Sequence, residues 1–110
     1  MSMYAEYIKE RSGDEIVETV CGFATYRYMN QGKSVYIVDI YVHPKYRKEG
    51  TASALADIIV LRAKERGCTE LLGTVAPSAN GATTSLKVLL GYGMSLQSCS
   101  SDLIIFKKDI

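Results

Sequence analysis

The most constraining feature of the sequence is a strand–turn–helix pattern that begins at residue 35. Residues Val35–Val42 (VYIVDIYV) are almost continuously apolar, which is typical of a central strand buried on both faces. Proline cannot donate to a strand ladder, so this strand is expected to stop before Pro44. Between Gly50 and Gly67, apolar residues then recur at helical spacing. The succession predicts an α/β fold.

The other segments predict one domain, residues 1–110, with the element order β-β-β-α-β-α-β. A chain of 110 residues has room for one hydrophobic core. Turn-forming residues at 12–14 and 30–33 join the first strands closely, so the sheet is expected to be antiparallel at its start. The predicted strands are residues 3–9, 16–28, 35–42, 69–76 and 103–107, and the predicted helices are 51–66 and 83–90.

Composition and charge exclude several classes of function. Thirteen basic and twelve acidic residues give a net charge of +1, which offers no nucleic-acid or membrane surface. Cys21, Cys68 and Cys99 are widely spaced, and one histidine cannot complete a zinc site, so no metal is predicted. So few cysteines indicate reduced thiols in a cytoplasmic protein. No apolar run has the length of a signal peptide or a membrane span.

The turn before the first helix, residues 47–53 (RKEGTAS), has the chemistry of an anion site. Gly50 lets the backbone turn sharply, and the small residues after it leave the helix start open. The first amides of a helix lack internal partners and, with the helix dipole, suit a pyrophosphate. Arg47 and Lys48 add positive charge. On this pattern alone, a plain chain reversal without a ligand is an equal alternative.

The stretch VYIVDIYVHPKYRKEGTASAL resembles the motif of GNAT-superfamily N-acetyltransferases: a strand ending in Val-x-Pro, then Tyr-Arg, then Arg-x-x-Gly-x-Gly/Ala. Arg47, Gly50 and Ala52 occupy the motif positions. The strand is most similar to the spermidine/spermine acetyltransferase branch. Elsewhere, VCGFA at 20–24 and LGY at 90–92 are similar to the family's Val-Gly-Phe-Ala and Leu-Gly-Phe. The resemblance runs from about residue 16 to the C-terminus.

The resemblance implies a mixed, largely antiparallel twisted sheet with two main helices. The parallel strands 35–42 and 69–76 are expected to splay apart in a V. Acetyl-CoA is the implied co-substrate: its pantetheine would pair with the backbone of the first splayed strand, and its pyrophosphate would rest on the 47–53 turn. The implied cofactor-binding residues are Ile40, Tyr41, Val42, Arg47, Lys48, Glu49, Gly50, Thr51, Ala52, Ser53, Asn80 and Lys87.

The sequence departs from the family at both proton-handling positions, since Val38 replaces the strand glutamate and Lys87 replaces the helix tyrosine. Asp39 is predicted to act as the base or the amine anchor, because isolated buried carboxylates are enriched at sites. The alternative is that Asp39 only satisfies nearby backbone or lies at a solvated end of the sheet. Strand alternation places Asp39 beside Ile37 and Tyr41, so Tyr41 is expected to share its pocket. Lys87 is predicted to stabilise the thiolate or bind the cofactor, with an ordinary surface lysine as the equal alternative.

The predicted function is acetyl transfer from acetyl-CoA to an amine of a small molecule or a protein, by direct attack in a ternary complex. The alternative is a catalytically degenerate domain that binds acetyl-CoA or a protein partner. The family's usual first strand and two helices, which wall the acceptor pocket, are expected to be absent. Acceptor recognition would then depend on the strand faces, the loop 77–81 or a second subunit, and a homodimer is predicted.

Overall fold

A mixed six-stranded sheet organises the protein. The computed structural model describes residues 2–110. Its helices are α1 (Met3–Ser12), α2 (Thr51–Glu65) and α3 (Ala82–Gly91), with a short 3-10 turn at Pro44–Tyr46, and its strands are β1 (Glu15–Glu18), β2 (Gly22–Met29), β3 (Ser34–Val42), β4 (Glu70–Val75), β5 (Ser95–Ser100) and β6 (Leu103–Asp109). The strands lie in the order β1-β2-β3-β4-β6-β5, and only β3 and β4 pair in parallel. The predicted mixed, largely antiparallel fold is confirmed.

Helix α2 packs on one face of the sheet through the helical repeat seen in the sequence. Leu55, Ile59 and Ala63, spaced four apart, are all buried. They belong to one core with Val35 of β3 and Leu71 of β4, which are fully buried. Burying a leucine or isoleucine side chain contributes roughly 1.5–3 kcal/mol. This packing fixes α2, and therefore the turn that precedes it, against the two central strands.

The two central strands separate part-way along their length. β3 pairs with β4 only over residues 34–36 and 70–72. Beyond residue 36, β3 keeps its pairing with β2 but has no strand on its other side. The β2–β3 register also shifts at Val38, which has no residue opposite it on β2. Such a bulge bends the strand and increases its twist. The predicted splay is confirmed, and the bulge lies where the splay begins.

The predicted edge strand over residues 3–9 is wrong, because this segment is the helix α1. The Ser2 hydroxyl accepts the N–H of Ala5 at 3.0 Å and caps the helix start. Gly13 ends the helix with φ 76°, and its N–H bonds to a helix carbonyl at 2.9 Å. Ala5 and Ile8, three residues apart, are the buried positions. The expectation that the first element is a strand, with no helix before it, is wrong for the same reason.

Helix α1 lies on the face of the sheet opposite α2. Side chains alternate along β2: Ala24 and Tyr26 belong to the core under α2, so Phe23 and Thr25 point the other way. Tyr4 of α1 meets Phe23 edge-on, with 5.7 Å between ring centroids. The face opposite α2 is therefore partly covered by a short helix.

Two further strands differ from the prediction. Residues 16–28 form a hairpin rather than one strand, because the chain turns at 19–21, where the Thr19 N–H donates to the Gly22 carbonyl at 2.9 Å. Strand β5 is not predicted from the sequence, and its residues (SLQSCS) are all exposed. This strand is defined by its pairing with β6, so no apolar alternation marks it. Within residues 2–110, no helix is long and apolar enough to cross a membrane.

Candidate active site

A cavity of about 690 Å³ occupies the space between the splayed strands. Its walls come from β3 and the turn after it, the start of α2, the end of β4, and α3. The lining residues are Ile37, Val38, Asp39, Ile40, Tyr41, Val42, Tyr46, Arg47, Lys48, Gly50, Thr51, Ala52, Ser53, Gly73, Thr74, Thr84, Ser85, Lys87, Val88, Leu89 and Gly91. Most of the residues predicted for the site therefore line one cavity. Glu49 and Asn80 do not line it, and their predicted contacts with the cofactor stay predictions.

The β3 wall presents backbone groups to the cavity. The His43 N–H donates to the Cys21 carbonyl on the β2 side at 2.8 Å. Because backbone groups alternate in direction along an antiparallel pair, those of Val42 and Ile40 point away from β2, towards the splay. The Val42 carbonyl accepts a hydrogen bond from the Arg47 side chain at 3.0 Å. The amides of Val42 and Ile40 therefore face a gap that holds no strand, whereas the backbone of Tyr41 faces β2.

The turn between β3 and α2 is built around two left-handed residues. Lys48 has φ 68° and Gly50 has φ 76°. Gly50 is the N-cap of α2 and supplies no side chain, and the first helical hydrogen bond runs from the Ala54 N–H to the Gly50 carbonyl at 3.0 Å. The amides of residues 51–53 have no backbone acceptor among residues 2–110. Three free amides at the positive end of the helix dipole border the cavity.

The charges around the cavity are unequal. Arg47, Lys48 and Lys87 line it, and Asp39 is the only carboxylate among the lining residues. The Arg47 guanidinium carbon lies 5.8 Å from the centre of the Tyr41 ring. Positive charge therefore surrounds the mouth near α2. Within residues 2–110, no group of three or more histidine, cysteine, aspartate or glutamate side chains could hold a metal ion.

Asp39 is exposed rather than buried, which corrects the sequence expectation. The bulge at Val38 shifts the alternation, so that Ile37 turns to the α2 core while Asp39 and Tyr41 share the opposite face. The predicted grouping of Asp39 with Ile37 is therefore wrong, and its grouping with Tyr41 is confirmed. No side chain within residues 2–110 forms a hydrogen bond or an ion pair with Asp39. Its carboxylate is free to meet a ligand.

The α3 wall carries Lys87 and Ser85 beside the cavity. No residue of α3 is fully buried. Tyr92, at its C-terminal end, holds it to α2: the Tyr92 hydroxyl donates to Asp57 Oδ1 at 2.6 Å. Burial, then this hydrogen bond, raises the pKa of Tyr92. The hydroxyl consequently stays protonated and keeps the two helices joined.

One polar pair that no sequence pattern predicts lies at the point where the strands part. The Tyr36 hydroxyl and the Thr74 hydroxyl lie 2.8 Å apart, from β3 to β4, and Thr74 lines the cavity. Neither residue belongs to a motif, and only the parallel register brings them together. The pair closes the apex of the splay.

The sequence of the chain matches a known protein family. A family model described as the acetyltransferase (GNAT) family matches residues 4–92. The chain belongs to the GNAT acetyltransferase family. Membership makes the protein an acyltransferase, and the resemblance stated above is confirmed at this level. The closer likeness to the spermidine/spermine branch stays a prediction.

Solved GNAT structures share the fold over nearly all of the chain. A protein assigned to the GNAT family from Desulfovibrio desulfuricans has a TM-score of 0.79 at 15% identity, over 96% of this chain and 77% of that one. A Bacillus subtilis acetyltransferase in complex with CoA has a TM-score of 0.73 at 15% identity, over 96% and 83%. A GNAT acetyltransferase from Elizabethkingia anophelis with acetyl-CoA bound has a TM-score of 0.74 at 16% identity, over 96% and 82%. No curated protein sequence matches the chain.

Proposed function

We propose that the protein is an N-acetyltransferase that moves the acetyl group of acetyl-CoA to an amine by direct attack in a ternary complex. One observation carries the proposal. The cavity joins the free amides in the first turn of α2 to the exposed Asp39 on the opposite face of the sheet. A cofactor and an acceptor can therefore approach the same gap from opposite sides.

The lining residues fit acetyl-CoA in chemistry. The amides of residues 51–53, with Arg47 and Lys48, suit the pyrophosphate, because amides and positive charges converge there. The backbone groups of Ile40 suit the pantetheine amides, since they face a gap with no strand in it, and the Val42 N–H next to them is left for the acetyl group. Two of the solved GNAT structures hold CoA or acetyl-CoA, which supports the same assignment.

The chemistry asks three things of the protein. Acetyl-CoA supplies an activated acetyl group: the amine nitrogen bonds to the acetyl carbon, the C–S bond breaks, and CoA leaves as a thiol with the proton that the nitrogen gives up. Asp39, directly or through water, takes the proton that frees the nitrogen lone pair. The Val42 amide donates to the carbonyl oxygen as it gains charge. Holding both substrates in one cavity contributes much of the remaining acceleration.

On the side of the leaving thiolate, α3 supplies the group that can donate a proton. Lys87 stands where the family has a tyrosine, and its ammonium can stabilise or protonate a thiolate. Val38 stands where the family has its glutamate, and it carries no proton. On β3, the residue that accepts the amine proton is therefore Asp39, one residue further along the strand.

Calorimetry with acetyl-CoA tests the cofactor site. Gly50→Glu places a carboxylate at the mouth of the three free amides, so affinity should fall at least tenfold through charge repulsion. Gly32→Glu is the matched control, because Gly32 also has a positive φ, 85°, and open space around it, but lies in the β2–β3 turn away from the cavity. Binding by the wild type and the control that Gly50→Glu abolishes supports the site. Equal affinities for all three proteins would refute it.

The second candidate function is a domain that binds acetyl-CoA or a partner without catalysis. The valine and lysine at the two proton-handling positions, Val38 and Lys87, favour it. Release of free CoA thiol in the presence of an amine panel separates the candidates. Thiol release that requires both substrates supports the enzyme, whereas tight cofactor binding without any release supports the module.

Assembly and location complete the proposal. The unpaired edge of β5 and exposed apolar side chains such as Leu96 support a homodimer. Three free cysteines support a reducing, cytoplasmic compartment. Sedimentation equilibrium of the purified chain measures the oligomeric state directly. A mass equal to one chain at micromolar concentration would contradict the homodimer.

A further inference from the structure

Three aromatic rings form a row on the face of the sheet that carries Asp39. Tyr4 of α1 meets Phe23 of β2 at 5.7 Å, and Phe23 meets Tyr41 of β3 at 5.6 Å with 31° between the ring planes. Tyr41 is 43% exposed and Tyr4 is 46% exposed. Tyr41 also lines the cavity. The row therefore leads from α1 to the opening of the splay and leaves aromatic surface uncovered there.

Such a surface suits one kind of ligand. A ring packed against Tyr41 gains from stacking as well as from burial. Asp39 supplies a full negative charge beside the ring, where an ammonium group of the same ligand can meet it. Asp39 and Tyr41 are two residues apart on the same face of β3, so one small molecule can touch both.

The charges nearby limit that ligand to one ammonium group. Asp39 is the only lining carboxylate, and the guanidinium of Arg47 already lies over the Tyr41 ring. A second ammonium stacked on that ring would meet the Arg47 charge. On the same face, the carboxylate of Asp14 is paired with Arg27 at 2.7 Å and is therefore not free for a second ammonium group.

Two further carboxylates on this face of the sheet, Glu70 and Asp109, already pair with Lys107, which leaves one more to consider. Glu18 of β1 lies opposite Phe23, and the Ser2 hydroxyl donates to it at 2.8 Å. It sits on the far side of Phe23 from Tyr41. A polyamine that used both Glu18 and Asp39 would have to span the whole aromatic row, and the Glu18 carboxylate already accepts a hydrogen bond from Ser2.

We infer that the acceptor is a primary monoamine with an aromatic group, whose ammonium meets Asp39 and whose ring packs against Tyr41. This inference rests on the proposed acetyl transfer for its reaction, but the binding it describes does not require turnover. Tyr41 thereby acts as a specificity-determining residue, and α1 forms part of the acceptor wall through Tyr4.

The test compares an aromatic monoamine, its saturated counterpart and a diamine as acceptors. 2-Phenylethylamine carries an aromatic ring, 2-cyclohexylethylamine has the same carbon skeleton without π electrons, and 1,4-diaminobutane has two ammonium groups and no ring. Thiol release gives kcat/KM for each. Saturation-transfer NMR of 2-phenylethylamine with the CoA-loaded protein reports binding independently of turnover. We expect the aromatic amine to exceed its saturated partner by roughly threefold to tenfold, and the diamine to be poorer than both.

Variants then assign the preference to the ring row. Tyr41→Leu should abolish the advantage of the aromatic amine and its NMR signal, while Tyr41→Phe should retain them, because the ring is kept. Tyr7→Leu is the matched control. Tyr7, like Tyr41, is an exposed tyrosine, but it lies on α1 and is not in the row. Its aromatic preference should equal that of the wild type. The phenylalanine variant also guards against misfolding, since it changes only the hydroxyl.

The outcomes separate the two proposals. Turnover of all amines without an aromatic preference, or with a preference for the diamine, overturns this inference and leaves acetyl transfer intact. Aromatic-amine binding that depends on Tyr41, but with no turnover, supports the inference and overturns the proposed catalysis. Absence of both turnover and aromatic-amine binding overturns both.

Discussion

At the residue scale, the proposed function depends most on the carboxylate of Asp39. Asp39→Asn keeps the shape and removes the charge. A charge-assisted contact contributes roughly 1.5–3 kcal/mol, so KM for the amine should rise about tenfold to a hundredfold. If the same group takes the proton, kcat should also fall by about a hundredfold or more. Steady-state kinetics with varied amine and saturating acetyl-CoA separates the effect on KM from the effect on kcat.

The control for this variant is Asp109→Asn, the same chemical change at an exposed site on the last strand. Asp109 makes one surface ion pair, to Lys107 at 3.6 Å, and pairs of this kind contribute little. Its kinetic constants should match those of the wild type. Unchanged KM and kcat in Asp39→Asn would remove Asp39 from the site and favour the reading in which it is an ordinary surface residue.

Asp39 also shows how far single residues can be predicted. The sequence identifies the strand and the unusual carboxylate within it, and the structure places Asp39 at the cavity. The face that it occupies depends on the bulge at Val38. A register shift of one residue moves every later side chain to the other face, and nothing in the letters VYIVDIYV marks where the shift occurs. Pairing with β2 decides it.

At the element scale, the end of β3 is held in place by Gly22. An added Cβ at Gly22 would overlap the Tyr41 carbonyl oxygen of the neighbouring strand. Gly22→Ala must therefore push β2 and β3 apart, at an expected loss of about 1–3 kcal/mol in the free energy of unfolding. Affinity for acetyl-CoA should fall as well, because Val42 moves with Tyr41. Chemical denaturation and calorimetry measure the two effects.

Gly91→Ala provides the comparison for stability. Gly91 ends α3 with open space around it and without a positive φ, so a Cβ there meets nothing. Alanine favours a helix over glycine by roughly 0.5–1 kcal/mol, and this variant should be as stable as the wild type or slightly more so. Equal stability of Gly22→Ala and Gly91→Ala would show that the close strand approach is not rigid.

Elements with strong local signals are the ones that the sequence predicts correctly. β3, α2, β4, α3 and β6 each carry an apolar run or a helical period, and all five are confirmed. Helix α1 is missed because only two of its residues, Ala5 and Ile8, are buried, so its period is faint. β5 is missed because all its side chains are exposed. Caps define the ends of α1, and pairing with β6 defines β5, whereas neither element is marked by a large buried face.

At the scale of the whole molecule, the splay requires that β3 and β4 be joined firmly at their other end. Ser34, which is fully buried, donates its hydroxyl to Glu70 Oε1 across the first parallel pair, and Asn30 donates to the Ser34 oxygen at 2.7 Å. Lys107 of β6 lies 3.4 Å from Glu70 Oε2. Glu70 therefore ties three strands together on the side away from the cavity, which lets the opposite ends part without loosening the sheet.

This junction predicts how stability depends on pH. The Ser34 hydrogen bond, followed by the contributions of Lys107 and Lys33, holds the pKa of Glu70 below its ordinary value of 4.5. A carboxylate whose pKa is lowered by folding stabilises the protein above its unfolded pKa, and this stabilisation is lost as the pH falls towards the folded pKa. The free energy of unfolding should decrease between about pH 5 and pH 3, and Glu70→Gln should flatten that decrease while lowering stability at pH 7.

Denaturation at a series of pH values measures this dependence. The control is Glu10→Gln, at an exposed glutamate on α1, which should keep the wild-type slope. An unchanged slope in Glu70→Gln would mean that the strands are joined by their backbone ladder alone, and that the splay needs no charged group to hold its base.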